Sequence, residues 1–211
     1  MRVSPSIRQA LAMTALCISA QALAEPAKIG MITTLSGGGA SLGIDIRDGF
    51  ELAVKERNGQ LGGIDVEMMI VDDGRKVDNA KQIATRMVER DQVDVMTGIV
   101  WSNLAMAVIP GVTADGTIYI SPNAGLSLLS GKRCHPNYFN VAWQNDNLHE
   151  AMGQYVTDQG YQNVYLMAPN YPAGKDALAG FKRFYQGDIA GEVYTKLGQV
   201  DYAAEIANLR A

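Results

Sequence analysis

From Lys28 onward the chain alternates between short apolar runs and longer segments whose apolar residues recur every three or four positions. The first pair is a strand over Lys28 to Thr34 and a helix over Ile44 to Arg57. On that helix Ile46, Phe50, Ala53 and Val54 share a face, with Arg57 at its charged edge. Asn58-Gly59 and Gly62-Gly63 punctuate the chain before a second strand, Ile64 to Val71. Asp78 then stands as an N-cap before the clearest helix of the sequence, whose Ala80, Ile83, Ala84, Met87 and Val88 make an apolar stripe. Strand Val93 to Thr97, helix Asn103 to Thr113 and strand Thr117 to Ile120 continue the alternation. A β-α-β-α series of this kind predicts an α/β fold, a parallel sheet with helices on both faces.

After Tyr138 to Val141 a second series opens. It runs through helix Asn147 to Gln159 closed by Gly160, strand Asn163 to Met167, helix Gly174 to Tyr185 and strand Ile189 to Leu197. Two series predict two lobes, residues 25–142 and 143–211, with a crossover near Ala142 to Asp146. Ala203, Ile206, Ala207 and Leu209 begin one more apolar helical face, which stops at Ala211 without a cap or a following strand. The expectation is a second lobe cut short.

The first 24 residues follow a different pattern. Arg2 and Arg8 precede the small and apolar run Ala10 to Ala20, and Ala22-Leu23-Ala24 ends the segment. That order predicts a secretory signal peptide over residues 1–24, cleaved after Ala24. The apolar run, about 11 residues, is short of the roughly 20 a bilayer-spanning helix needs. Cys17 follows Leu16 and stands three places after Thr14, which departs from a lipidation motif. Loss of the two arginines takes the formal charge from −4 to −6. A mildly acidic chain with no basic cluster lacks the electrostatic footprint of a nucleic-acid binder, so nucleic acid is excluded as a partner. After export Cys134 is the only cysteine left, in a compartment where disulfides form, and a partner thiol is sought outside this sequence.

Candidate chemistry sits in loops that follow strands. Gly37-Gly38-Gly39, before Ala40-Ser41-Leu42-Gly43, offers backbone N–H groups and a helix start that favour an anion; the plain alternative is a flexible connection. The loop is neither a dinucleotide fingerprint nor a P-loop, because Leu42 stands where the third glycine belongs and no Gly-Lys-Ser/Thr follows. Trp101-Ser102-Asn103 and Ser121-Pro122-Asn123-Ala124-Gly125 lie at the carboxyl ends of their strands, where open parallel sheets bind ligands. Ser102 reads either as a ligand contact or as a helix cap, and Trp101 as an aromatic wall or as packing under its loop. Tyr171, in Tyr171-Pro172-Ala173-Gly174, holds the equivalent place in the second series and either closes over a ligand or sits exposed. Trp143 at the crossover lines the cleft or packs the hinge.

For catalysis the inventory is thin. His135 and His149 are the only histidines, and no Gly-x-Ser-x-Gly, His-Glu-x-x-His or Cys-x-x-Cys occurs. Adjacency of Cys134 and His135 does not supply the geometry of a thiolate–imidazole pair. Asp72-Asp73, Asp91 and Asp94 read as strand-end and loop solvation. The expectation is therefore no catalytic residue, no metal, no cofactor and no enzyme.

In this order, Lys28-Ile29-Gly30 to Leu35-Ser36-Gly37, Asp72-Asp73 and Ser121-Pro122-Asn123-Ala124 resemble the branched-chain amino-acid (leucine-binding) type of periplasmic binding protein, the type I solute-binding family of ABC transporters. The resemblance spans nearly all of the chain after residue 24. It implies two Rossmann-like lobes with parallel sheets, a hinge, a small ligand trapped between them, and delivery to a membrane permease with its ATPase. It places the pocket at Leu42, at the Ser102 hydroxyl that meets a ligand carboxylate, and at Asn123, Ala124 and Gly125. The covering aromatic of the second lobe falls at Ala173, with Tyr171 nearby as a substitute. Trp101, Trp143-Gln144-Asn145-Asp146 and Tyr171 are similar to members that take aromatic acids, so the implied ligand is an amino acid or an aromatic acid. The family's acid for a ligand ammonium, like a partner for Cys134, would lie beyond Ala211. A sensory module on the same lobes is the alternative to a transport receptor, and fold alone does not separate them.

Overall fold

The computed structural model describes residues 25–210; the predicted signal peptide and Cys17 lie outside them. In chain order the elements are β1 (Ala27–Thr33), α1 (Ala40–Glu56), β2 (Gln60–Leu61), β3 (Ile64–Asp72), α2 (Val77–Glu89), β4 (Val95–Thr97), α3 (Ser102–Ala114), β5 (Ile118–Ser121), α4 (Ser127–Ser130) and β6 (Tyr138–Asn140). There follow α5 (Asn147–Asp158), β7 (Asn163–Pro169), α6 (Pro172–Phe184), β8 (Asp188–Thr195) and α7 (Ala203–Arg210).

The first six strands form one sheet in the order β2-β3-β1-β4-β5-β6, parallel except for β2. β1 is central and its last five residues are buried, which is why it reads as a continuous apolar run and not as an alternating one. Thr33 pairs with Asp72 and Met31 with Thr97, so the carboxyl ends of three strands share one edge of the sheet. The core beneath holds the predicted α2 stripe, Ala80, Ile83, Ala84 and Met87, against Leu104, Ala105, Val108 and Ile109 of α3. Tyr119 is fully buried there, and its hydroxyl accepts the Ile99 N–H at 3.2 Å. β7 and β8 form a separate parallel pair, covered by α5 and α6 through Leu166, Ala168, Leu178, Phe181 and Tyr185.

Local differences from the expectation have local causes. β2 is only two residues long, and it exists because Gly62 and Gly63, both at positive φ (60° and 82°), make the tight turn that folds it antiparallel onto β3. α1 starts at Ala40, four residues before Ile44, with Gly39 in the left-handed region at its N-cap, and of its residues only Gly43 is fully buried. Asp78 is not an N-cap: α2 begins at Val77 after Lys76, with no side-chain cap. The turn before it is tied instead by Lys76 N–H to the Asp73 carbonyl and by the Asn79 amide to the carbonyls of Asp72 and Asp73. Asp78 remains in the first turn, where the helix dipole favours a carboxylate.

Candidate functional site

The loops at the carboxyl ends of β4, β5 and β7 converge on a cleft of about 380 Å³ between the two sheets. Val100, Ser102, Asn123 and Ala124 line one side, Trp143, Asn145, Leu148 and His149 the crossover, and Met167, Pro169, Tyr171 and Ala173 the other side. Ser121 Oγ donates to the Ala124 carbonyl at 3.0 Å, and Asn123 Nδ2 to the Val100 carbonyl at 2.9 Å. The first closes the loop after β5 on itself, and the second ties it to the loop after β4. Ala124 is buried and Tyr171 half-buried, whereas Trp143, Leu148 and Met167 are 50%, 62% and 48% exposed. None of the described residues lining the cleft is an Asp, Glu, Lys or Arg.

Of the residues nominated from the sequence, the cleft brings together Ser102, Asn123, Ala124, Trp143, Tyr171 and Ala173. Leu42, Trp101 and Gly125 do not line it. Leu42 sits on α1, 46% exposed. Trp101 packs on the Gly39 backbone, where an added Cβ would lie 2.4 Å from its ring, and the Arg75 guanidinium sits 3.9 Å over that ring. Gly125 is the floor of a backbone crossing: its carbonyl accepts the Asn145 N–H at 2.7 Å, and a Cβ there would meet the Trp143 carbonyl oxygen. Trp101, and not Ser102, occupies the N-cap position of α3, and no side chain caps the helix. The helix starts one residue early, which turns the Ser102 hydroxyl sideways, where it accepts from Asn145 Nδ2 at 3.3 Å.

Asn145 was reached from the sequence only as part of the Trp143–Asp146 run, and His149 and Asp176 were given no role in the site. Asn145 is buried, and its Nδ2 also donates to Asp176 Oδ2 at 3.1 Å, which in turn accepts the Ser127 N–H at 3.2 Å. No motif shows that Ser102, Asn145, Ser127 and Asp176 meet, because their meeting depends on α6 of the second unit lying against α3 and α4 of the first. Burial, opposed by the charge of Arg75, pushes the Tyr171 phenol above its ordinary value, which keeps it a neutral donor.

In the Gly37–Gly39 loop, the amides of Ala40 and Leu42 are spent on the Gly37 and Gly39 carbonyls, at 3.3 and 3.2 Å. Behind this loop lies the fully buried Asp73, whose Oδ1 accepts from the Thr34 hydroxyl and the Arg75 N–H, at 2.8 and 2.7 Å, and whose Oδ2 has no partner among the described residues. Burial pushes the Asp73 carboxyl up, against the pull of those two bonds, and neighbouring Asp72 adds to the rise. A carboxyl raised in the folded state favours folding below its unfolded value and loses that contribution as pH climbs through the folded one. The neutral variant Asp73→Asn should therefore gain on the parent protein, by on the order of 1 kcal/mol, as pH rises above the ordinary carboxylate value of about 4 toward neutrality. Urea denaturation across that range measures it, and a stability gap that does not change with pH would contradict the assignment. No group of three or more His, Cys, Asp or Glu among the described residues is placed to hold a metal ion.

The family model described as periplasmic binding protein matches residues 26–211. The chain belongs to the periplasmic binding protein family. Among curated relatives, a Leu/Ile/Val-binding protein homologue of Brucella abortus is 27% identical over 186 residues, covering 87% of this chain and 46% of the relative. A solute-binding protein of an ABC transporter from R. palustris, solved in complex with benzoate, superposes with a TM-score of 0.81 at 30% identity, covering 88% of this chain and 53% of that one. A second, from Rhodopseudomonas palustris BisB5 in complex with 3,4-dihydroxybenzoic acid, gives 0.78 at 26% identity over 87% and 51%. The chain thus spans about half the length of the relatives it matches. Its architecture is that of the type I periplasmic binding proteins, and its kinship is with the branched-chain amino-acid type of solute-binding protein.

Proposed function

We propose that this protein captures a small carboxylate in the cleft between its lobes and delivers it to the permease of an ABC transporter, performing no chemistry on it. On this reading residues 1–24 direct export to the periplasm and are cleaved after Ala24, and the lobes divide near residues 142 and 143. The observation that carries it is the cleft itself: polar groups of Ser102 and Asn123 at the strand ends, half-exposed apolar walls at Trp143, Leu148 and Met167, and an open space of about 380 Å³. Half-exposed apolar side chains facing a common cleft favour a ligand with an apolar body. An aromatic acid suits the broad apolar walls of Trp143, Leu148 and Met167. The similarity to a benzoate-bound protein supports the same choice.

A ligand that binds only the folded state raises its melting temperature. Screened against the full-length protein, benzoate and hydroxybenzoates should raise it by several degrees at millimolar concentration, and leucine, isoleucine and valine by less. A shift confined to the amino acids would replace the aromatic acid with an amino acid. Absence of a shift with every small acid would end the carboxylate reading.

A further inference from the structure

We infer that Asn145 is a positioning residue that fixes the direction of the Ser102 hydroxyl, so that the cleft presents a hydrogen-bond donor and selects ligands whose binding group only accepts. The inference rests on the carboxylate reading above and deepens it.

The argument follows from which groups can donate. The Asp176 carboxylate accepts only, and it already holds the Ser127 N–H at 3.2 Å through Oδ2. Facing it at 3.1 Å, the Asn145 side chain must therefore turn its NH₂, not its carbonyl, toward Asp176. The backbone of Asn145 is pinned independently, by its N–H on the Gly125 carbonyl at 2.7 Å. With the amide fixed at both ends, the second hydrogen of Nδ2 points at Ser102 Oγ, 3.3 Å away. Ser102 then accepts from Asn145 and keeps its single O–H for another acceptor, and among the described residues it has none. Ser102 lines the cleft and is only 4% exposed, so the acceptor that meets this hydrogen comes from the cleft's occupant. A serine free to rotate would serve donors and acceptors alike; this one is committed. Asp176, two bonds away and on α6, thereby sets the polarity of a contact made by α3, which ties ligand choice to the approach of the two lobes.

The test exchanges the two side chains. Asn145→Asp combined with Asp176→Asn keeps the net charge and reverses the bonds of position 145, at the loss of the Ser127 N–H bond that Asp176 Oδ2 also accepts, so that Ser102 must donate to position 145 and offer its lone pairs to the cleft. Benzoate, which only accepts, is compared by calorimetry with benzamide, which presents either polarity; leucine and leucinamide serve as the second pair. The double variant should lose benzoate relative to benzamide by about tenfold or more, with its thermal midpoint only a few degrees below that of the parent. Should the double variant fail to fold, Asn145→Ala decides the matter, since it frees the hydroxyl and lowers the same ratio. An acid-to-amide ratio unchanged in a folded variant overturns the role of Asn145 while leaving the carboxylate reading intact. Failure of the unaltered protein to bind either acid overturns both.

Discussion

Gly125→Ala should destabilise the protein by about 4 kcal/mol, the largest effect expected of any single methyl group added to this chain. The backbone at Gly125 is not in the left-handed region, so conformational freedom is not the reason. Space is. An added Cβ would lie 1.8 Å from the Trp143 carbonyl oxygen, 2.9 Å from its carbon and 3.1 Å from the Gln144 Cα, all of them backbone atoms. A side chain in the way can change rotamer, but a backbone cannot, and the two segments must separate by more than an ångström. That separation breaks the 2.7 Å bond from Asn145 N–H to the Gly125 carbonyl and shifts Ala124 and Leu126, each 1% exposed. Gly30→Ala is the control: its Cβ would meet Met87 Sδ at 2.9 Å, the flexible part of a side chain that can yield, and it should cost clearly less. Urea denaturation of both variants measures the difference. Near-parental stability of Gly125→Ala would mean that the crossing is looser than the structure draws it.

The same position shows how far the sequence could be read. The parallel-sheet frame was legible because burial on both faces leaves an unmistakable mark: β1 carries a continuous apolar run, and α2 carries a stripe at helical spacing. The two-residue β2 and the four-residue α4 leave no such mark, since elements that short are made by their neighbours. Asp78 was misjudged as a cap because a capping carboxylate and a first-turn carboxylate look alike in sequence; the buried Asp73 beneath the turn, which decides between them, is a tertiary fact. For the site, the rule that ligands meet parallel sheets at the carboxyl ends of strands was enough to find Ser102, Asn123 and Ala124. It was not enough for the role of Asn145, which the resemblance reaches only as part of the Trp143–Asp146 run and whose partners lie 43 and 31 residues away on different elements. Nor could it say that Trp101, beside Ser102 in the chain, turns away to stack under Arg75 and fill the space left by Gly39.

Ser102→Ala should weaken binding of the captured acid by about 1–3 kcal/mol, roughly 5- to 150-fold, while leaving the fold nearly intact. The binding loss follows from charge: a hydroxyl donating to a carboxylate makes a stronger bond than one between neutral groups, and nothing in the variant replaces it. The small stability loss follows from the geometry around it. Ser102 does not cap α3, so the helix keeps its start, and Asn145 keeps its 3.1 Å bond to Asp176 and its backbone bond to Gly125 when the serine acceptor goes. One Asn145 hydrogen is left without a partner, which sets the stability cost at about 1 kcal/mol. The two effects therefore separate: calorimetric titration should show the loss of affinity, and thermal unfolding without ligand should show little. Asn123→Ala should behave in the opposite way, because its amide bond to the Val100 carbonyl holds two loops together, and removing it loosens the cleft before any ligand arrives. Unchanged affinity in Ser102→Ala would remove the hydroxyl from the ligand's reach, and with it the donor on which the choice of an acid over a neutral analogue depends.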